Sequence, residues 1–383
     1  MSVTAARGFR ACGVAAGLKA SGRPDVALVV DDGPDHHGAA VFTTNRVEAA
    51  PVTWSRQVVR DGRVDAVILN SGGANACTGP EGFLDTHRTA EQVAGLLGIS
   101  ASDVVVASTG LIGERLPMDR LGAGVAEASR RLDRAGGEDA AVAIMTTDTR
   151  PKQAVRTGAG WVVGGMAKGA GMLAPSLATM LVVLTTDAVV DPEVLDRALR
   201  RATARSFDRV DSDGCRSTND MVLLMSSGAS GIRPSEEELT ALMTDLCLDL
   251  ARQLVADAEG AHHDIAVEVV GAAGEDDALE VARAVARNAL LKCAILGQDP
   301  NWGRVVAAVG TTGATFDPQR IDVSVNGIQV CRATAPGDPR KLVDLSGREV
   351  HVLVDLHAGT DAVVVWTNDL THDYVHENSA YST

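Results

Sequence analysis

The segment AKGAGMLAPSLATMLVVLTTDA, Ala167 to Ala188, sets Lys168 in a Gly-rich loop and Thr179 at the mouth of a β-branched apolar run. A threonine hydroxyl is a weak nucleophile unless a base stands beside it. Cleavage of the Ala178–Thr179 bond would supply one. The freed α-amino group, with an ordinary pKa of about 7.7–8.0, would be tethered to the hydroxyl it activates. The same hydroxyl can make the cut by attacking the carbonyl of Ala178, giving an ester that water hydrolyses. The small Ala178 permits the close backbone approach this requires.

Such chemistry puts negative charge on a carbonyl oxygen and needs donors aimed at it. In VVVASTGLIG a buried strand ends in Ser108-Thr109-Gly110. Gly110 permits a turn that aims an N–H outward, and the Thr109 hydroxyl adds a second donor. The bland reading of that run is an ordinary turn. TTDTRPK, from Thr146 to Lys152, is another polar cluster after an apolar run, and reads as a loop by default. Lys168 suits a substrate carboxylate or charge near Thr179; a lysine among glycines otherwise sits exposed. Glu259 follows a long helix, where a carboxylate is unfavourable. It is either a solvated side chain or a site carboxylate placed to receive an amine.

The histidines raise a metal hypothesis. His262 and His263 are adjacent, and His372 and His376 are four apart. The four-residue spacing aligns two ligands only on a helix, and DYVHENSAY has little helix propensity. No H-E-x-x-H occurs, and no metal is expected.

These groups need elements to position them. Short Val-rich runs bounded by Gly, Asp, Asn or Ser predict strands: DVALVV, DAVILN, DVVVAS, WVVGG, TMLVVLTT, DMVLLMSS, IAVEVV, RVVAAVG, IDVSVN, HVLVDL and AVVVWT. SEEELTALMTDLCLDLARQLVADAEG predicts a helix opened by a capping box of Ser235 and Glu238, with Leu239, Leu242, Leu246, Leu250 and Leu254 on one stripe. DPEVLDRALRRATARSF predicts a second helix with Asp191 as N-cap. The fold class expected is α/β (α+β), with helices packed on mixed sheets. The most plausible division falls in the loop ending at Ala178, giving segments 1–178 and 179–383.

Aromatics make up only 3% of the 383 residues, so Val, Leu, Ala and Ile must build the core. A net charge of −15 without a Lys/Arg run argues against nucleic acid and anionic membrane as partners. The six cysteines are scattered, which suits reduced thiols. No apolar run approaches the roughly 18 residues that span a bilayer, and a cytoplasmic protein is expected.

In order along the chain, AVFTTNRV at 40–47, NSGGANACTG at 70–79, ASTGLIG at 107–113, IMTTDTRPK at 144–152, GGMAKGAGMLAPSLATML at 164–181, VDSDGCRSTND at 210–220, DPNWGR at 299–304 and NDLTHDYVHENSAYST at 368–383 make the chain resemble the ornithine acetyltransferase, or glutamate N-acetyltransferase, family of arginine biosynthesis. The resemblance implies self-cleavage before Thr179 and an acetyl group carried on that threonine from N-acetylornithine to glutamate. It implies an oxyanion hole at Thr109 and Gly110. It places substrate contacts on Thr146, Lys168, Thr179, Glu259, Asn378 and Thr383. It implies no cofactor, with acetyl-CoA as a possible further donor, and a heterotetramer of two fragments of each kind.

The chain departs from the family pattern at Gly73, where asparagine is usual, and at DAEGAHH, where DGEGATK is usual. Ala258, His262 and His263 therefore stand beside Glu259. Two other readings use the same residues differently. A self-cleaving amidase or aminopeptidase would pass the acyl group to water, and a degenerate paralogue would only bind.

Overall fold

The computed structural model describes residues 2–173 and 180–380. Among them, strands assemble into three sheets. The first has the order Phe9–Val14, Val26–Asp31, Ala66–Asn70, Val104–Ser108, antiparallel except for the last pair. The second runs His37–Phe42, Met221–Ser226, Leu181–Thr186, Val162–Lys168, Lys152–Thr157, with one parallel pair at its centre. The third gathers the C-terminal strands around Asp264–Ala272, which pairs in parallel with Glu349–Asp355 and antiparallel with Asp361–Asn368.

Side-chain alternation stacks the first two sheets. On Leu181–Thr186, Val182 and Leu184 join the core under the helices Pro192–Ala204 and Glu236–Ala256, while Leu181 and Val183 point the other way. There they meet Ala27, Val29, Val67, Leu69, Val105 and Ala107 of the first sheet. The opposite face of that sheet, with Leu28, Ile68, Val104 and Val106, is covered by the helices Gly79–Leu97 and Met118–Arg130. The result is helix, sheet, sheet, helix. Each fully buried Val or Leu contributes roughly 1.5–3 kcal/mol, and a one-residue slip would exchange the two cores. The third sheet has its own core against Glu275–Ala286 and its neighbours.

Helix signals held well. The capping box forms as expected: Ser235 Oγ accepts from Glu238 N, and Glu238 Oε2 accepts from Ser235 N at 2.9 Å. Asp191 precedes its helix but makes no side-chain cap; its carboxylate takes Arg233 instead. Two expectations fail. RVVAAVG lies in a helix, Trp302–Val309, because its apolar residues Val305, Ala308 and Val309 recur at helical spacing against the third sheet. The tail, expected to resist helix formation, is helical over His372–Ala380. Thr371 Oγ1 accepts from Tyr374 N at 2.9 Å, and this local bond offsets the weak propensity.

Candidate active site

The second sheet brings three chain segments to one edge. Lys168 ends its strand opposite Leu181, and Leu181 lies level with Met221 on the other side. The residues just before Leu181 and Met221 are therefore neighbours: Met180 N donates to Asp220 Oδ1 at 2.9 Å, and Met221 N donates to Met180 O at 3.2 Å. Thr179 and Ala178, the expected nucleophile and cleavage site, lie outside the described residues, as does Thr383.

From the first sheet, Val104–Ser108 ends beside Lys168. Lys168 Nζ donates to Thr109 Oγ1 at 3.3 Å, and the lysine is only 1% exposed. Burial pushes its ammonium down from the ordinary lysine range, while Asp148 acts the other way. The Thr109 hydroxyl accepts from the lysine and keeps its own hydrogen to donate. Thr109 N is occupied by Asn70 O at 2.9 Å, but Gly110 N donates to nothing among the described residues. Gly110 has φ +131°, and a Cβ there would stand 2.8 Å from Gly73 N. Only glycine suits that position. The Thr109–Gly110 step therefore carries one hydroxyl hydrogen and one backbone N–H without an acceptor among the described residues, two donors of the kind an oxyanion needs.

Lys168, expected in a loop, instead ends a strand and is buried, and an ionic network holds the turn that follows it at Gly169. Lys152 is fully buried and donates to Asp148 Oδ1 and Asp257 Oδ2, both at 2.6 Å. Asp148 Oδ1 also accepts from Gly169 N at 2.7 Å, and its Oδ2 from Thr146 N at 2.9 Å. Burial alone would raise the Asp148 carboxyl, but Lys168, Lys152 and the Gly169 N–H outweigh it and hold it at about 2.

Glu259 sits on the loop after Glu236–Ala256 and packs on Gly171, where a Cβ would come 2.5 Å from Glu259 Oε2. Thr147 Oγ1 donates to Glu259 Oε1 at 2.7 Å and Asn378 Nδ2 to Oε2 at 3.0 Å. The tail helix thus delivers Asn378 to the expected carboxylate. Thr146 and Glu259 both line a cleft of about 730 Å³. Thr146 itself reaches Asp148; its neighbour Thr147 is the one that touches Glu259.

His262 and His263 are each taken by an acid, Asp373 and Asp369, at 2.7 Å. Among the described residues no group of three His, Cys, Asp or Glu side chains could hold a metal, and no helix is long and apolar enough to cross a membrane.

The model of the ArgJ family matches residues 10–383. The chain belongs to the ArgJ family. It is 63% identical over 383 residues, the full length of both chains, to the arginine biosynthesis bifunctional protein ArgJ of Streptomyces avermitilis. It is 64% identical, again over the full length of both, to that of Thermobifida fusca. Among solved structures it is similar to the ornithine acetyltransferase of Mycobacterium tuberculosis complexed with ornithine, at 61% identity and a TM-score of 0.46, covering 46% of this chain and 96% of that one. Like its ArgJ-family relatives, the chain is an acyltransferase of arginine biosynthesis.

In this ArgJ-family chain several supporting residues escaped the sequence reading. Asn219 Nδ2 donates to Ala74 O at 2.6 Å and Ser108 O at 2.8 Å, tying the 70–79 loop and the Thr109 strand to the segment before Met221. Asn70 accepts from Ser108 Oγ at 2.5 Å and donates to Gly73 O at 3.1 Å. Asp148, Lys152 and Asp220 were likewise missed. All lie inside the motifs that carry the resemblance, so motif membership was the available signal.

Proposed function

We propose that this chain cleaves itself between Ala178 and Thr179 and then carries an acetyl group from N-acetylornithine to glutamate on the Thr179 hydroxyl. The observation that supports this best is the meeting of Lys168 with Thr109, next to a Gly110 N–H that has no acceptor among the described residues, at the end of the sheet where the strand Leu181–Thr186 begins two residues after Thr179. In the first half-reaction the Thr179 oxygen bonds to the acetyl carbon, and its proton passes to the Thr179 α-amine. The carbonyl electron pair moves to oxygen, facing Thr109 and Gly110. Collapse expels the ornithine nitrogen, which takes the proton back. Glutamate then attacks the ester through its amine; the C–O bond to Thr179 breaks, the amine proton passes to the departing Thr179 oxygen, and N-acetylglutamate leaves with the hydroxyl restored.

N-acetylornithine offers a carboxylate and a side-chain ammonium. Lys168 suits the carboxylate or the polarised acetyl oxygen, and Glu259 suits the ammonium. Thr146, Asn378 and Thr383 complete the contacts. Fragments 1–178 and 179–383 remain associated, two of each, in the cytoplasm. Acetyl-CoA as a further donor belongs to the same proposal.

Intact-mass analysis tests this directly. Wild type should yield one fragment ending at Ala178 and one starting at Thr179, Thr179→Ala should stay whole, and Thr179→Ser should still cut. Acetylornithine without glutamate should add one acetyl group to the peptide beginning at Thr179, and glutamate should remove it. Release of ornithine independent of glutamate would favour a hydrolase. Intersecting double-reciprocal lines with no trappable acetyl-enzyme would refute the covalent route.

A further inference from the structure

Lys292, on the helix Ala289–Leu296, is only 7% exposed and has no part in the chemistry described above. Its ammonium carries three hydrogens. One goes to Ser212 O and one to Thr367 Oγ1 at 3.3 Å, while the Thr367 hydroxyl itself donates to Ala286 O at 3.3 Å. The third has no acceptor among the described residues. The acids around it are engaged by other donors: Asp211 by Arg287 at 2.6 Å, Asp369 by His263 at 2.7 Å and Asp213 by Cys215 N at 3.1 Å. A lysine kept only to tie Ser212 to Thr367 could be a glutamine, which donates both bonds and carries no charge into the interior. Burial lowers the ammonium from the ordinary lysine range, while Asp213, Asp211 and Asp369 act the other way. An anion beside it would act in the same sense as those acids.

Lys292 lines a cavity of about 230 Å³, together with Arg287, Asp213, Tyr374 and Glu259. Glu259 also lines the larger cleft that holds Thr146, so one carboxylate borders both spaces. The inference rests on the functional reading above, in which Glu259 receives the ornithine ammonium. Glutamate ends in a carboxylate, and like charges keep it from the same place. We propose that this cavity is the subsite for the side-chain carboxylate of the glutamate acceptor, held by the third N–H of Lys292. Arg287, whose Nε is taken by Asp211, adds a second positive charge at the half-exposed rim. The two half-reactions then use opposite ends of one space, Glu259 for the ammonium and Lys292 for the carboxylate. Lys292 takes part in no covalent step and keeps its proton throughout.

Lys292→Gln keeps donors for Ser212 O and Thr367 Oγ1 and removes the charge. Steady-state kinetics separate the two substrates, because in a ping-pong scheme kcat/KM for each reports its own half-reaction. For glutamate kcat/KM should fall at least about 10-fold, the loss of one charge-assisted hydrogen bond, while for acetylornithine it should stay within about two-fold. Free glutamine, which lacks the side-chain charge, should be a poor acceptor for wild type, and the preference for glutamate over it should shrink by the same factor in Lys292→Gln. An unchanged preference, an equal loss for both substrates, or a wild type that acetylates free glutamine as well as glutamate would overturn the proposal. Should Lys292→Gln fail to fold, a crystal structure of wild type with N-acetylglutamate decides the matter. A side-chain carboxylate within hydrogen-bond reach of Lys292 Nζ supports the subsite, and one seated elsewhere overturns it. A wild type that transfers acetyl with no covalent intermediate would overturn the Thr179 reading alone, and the preference for glutamate would still decide this one. A wild type that acetylates neither acceptor overturns both.

Discussion

Lys168 Nζ stands 3.3 Å from Thr109 Oγ1, where a strand of the first sheet and a strand of the second end side by side. The bond aims the threonine hydroxyl hydrogen away from the lysine. Thr109→Val should therefore remove one oxyanion donor. Loss of such a donor costs about 10²–10³ in kcat, with a much smaller change in KM. Steady-state kinetics of acetyl transfer would show it; a variant with wild-type kcat would remove Thr109 from the oxyanion hole.

Glu259 is fixed by Thr147, Asn378 and the absence of a side chain at Gly171. Glu259→Gln should weaken acetylornithine use by about 1.5–3 kcal/mol, the range of a charge-assisted hydrogen bond, and leave cleavage intact. Gly171→Ala should act in the same direction, because its Cβ displaces the carboxylate. A KM for acetylornithine unchanged in both would place the ammonium elsewhere.

Lys152 neutralises two buried carboxylates at once. Lys152→Met should remove the ammonium that Asp148 and Asp257 share and leave Lys168 alone to act on Asp148. Removing one partner of a buried ion pair costs about 3–5 kcal/mol. Urea denaturation would report this as a lower midpoint, and the additional Asp148→Asn change should recover part of it.

The pH dependence of stability follows from Asp148. Its folded pKa of about 2 lies below the ordinary 3.8, so ionisation favours the fold. That contribution, about 2 kcal/mol, is complete above pH 4 and is lost as pH falls from 3.8 towards 2. Melting temperatures followed between pH 5 and pH 2 should drop less steeply in Asp148→Asn. Parallel curves would mean that Lys168 and Lys152 do not hold the carboxylate as described.

The sequence made much of this visible. The continuous apolar runs LVVL and AVIL are what burial on both faces dictates, so those strands were legible. The capping box marked its helix for the same local reason. RVVAAVG was misassigned because a short Val-rich run fits either period, and only contact with the third sheet decides between them. Thr109, Lys168 and Asn378 lie in motifs that carry the resemblance, and the structure sets Lys168 against Thr109 and Asn378 against Glu259. Lys152 looked like a loop lysine. Its burial depends on Asp257, 105 residues away, and no local pattern encodes such a pairing.

The central sheet takes Val162–Lys168 from one side of residue 178 and Leu181–Thr186 from the other, in register from Val163↔Thr186 to Lys168↔Leu181. A cut between them severs the chain without severing the ladder. The two products are then interleaved rather than docked, and neither holds a complete second sheet. Pulling them apart means unfolding both, so a nicked molecule should come through gentle purification as one particle. Fragments expressed separately should find each other only while still unfolded.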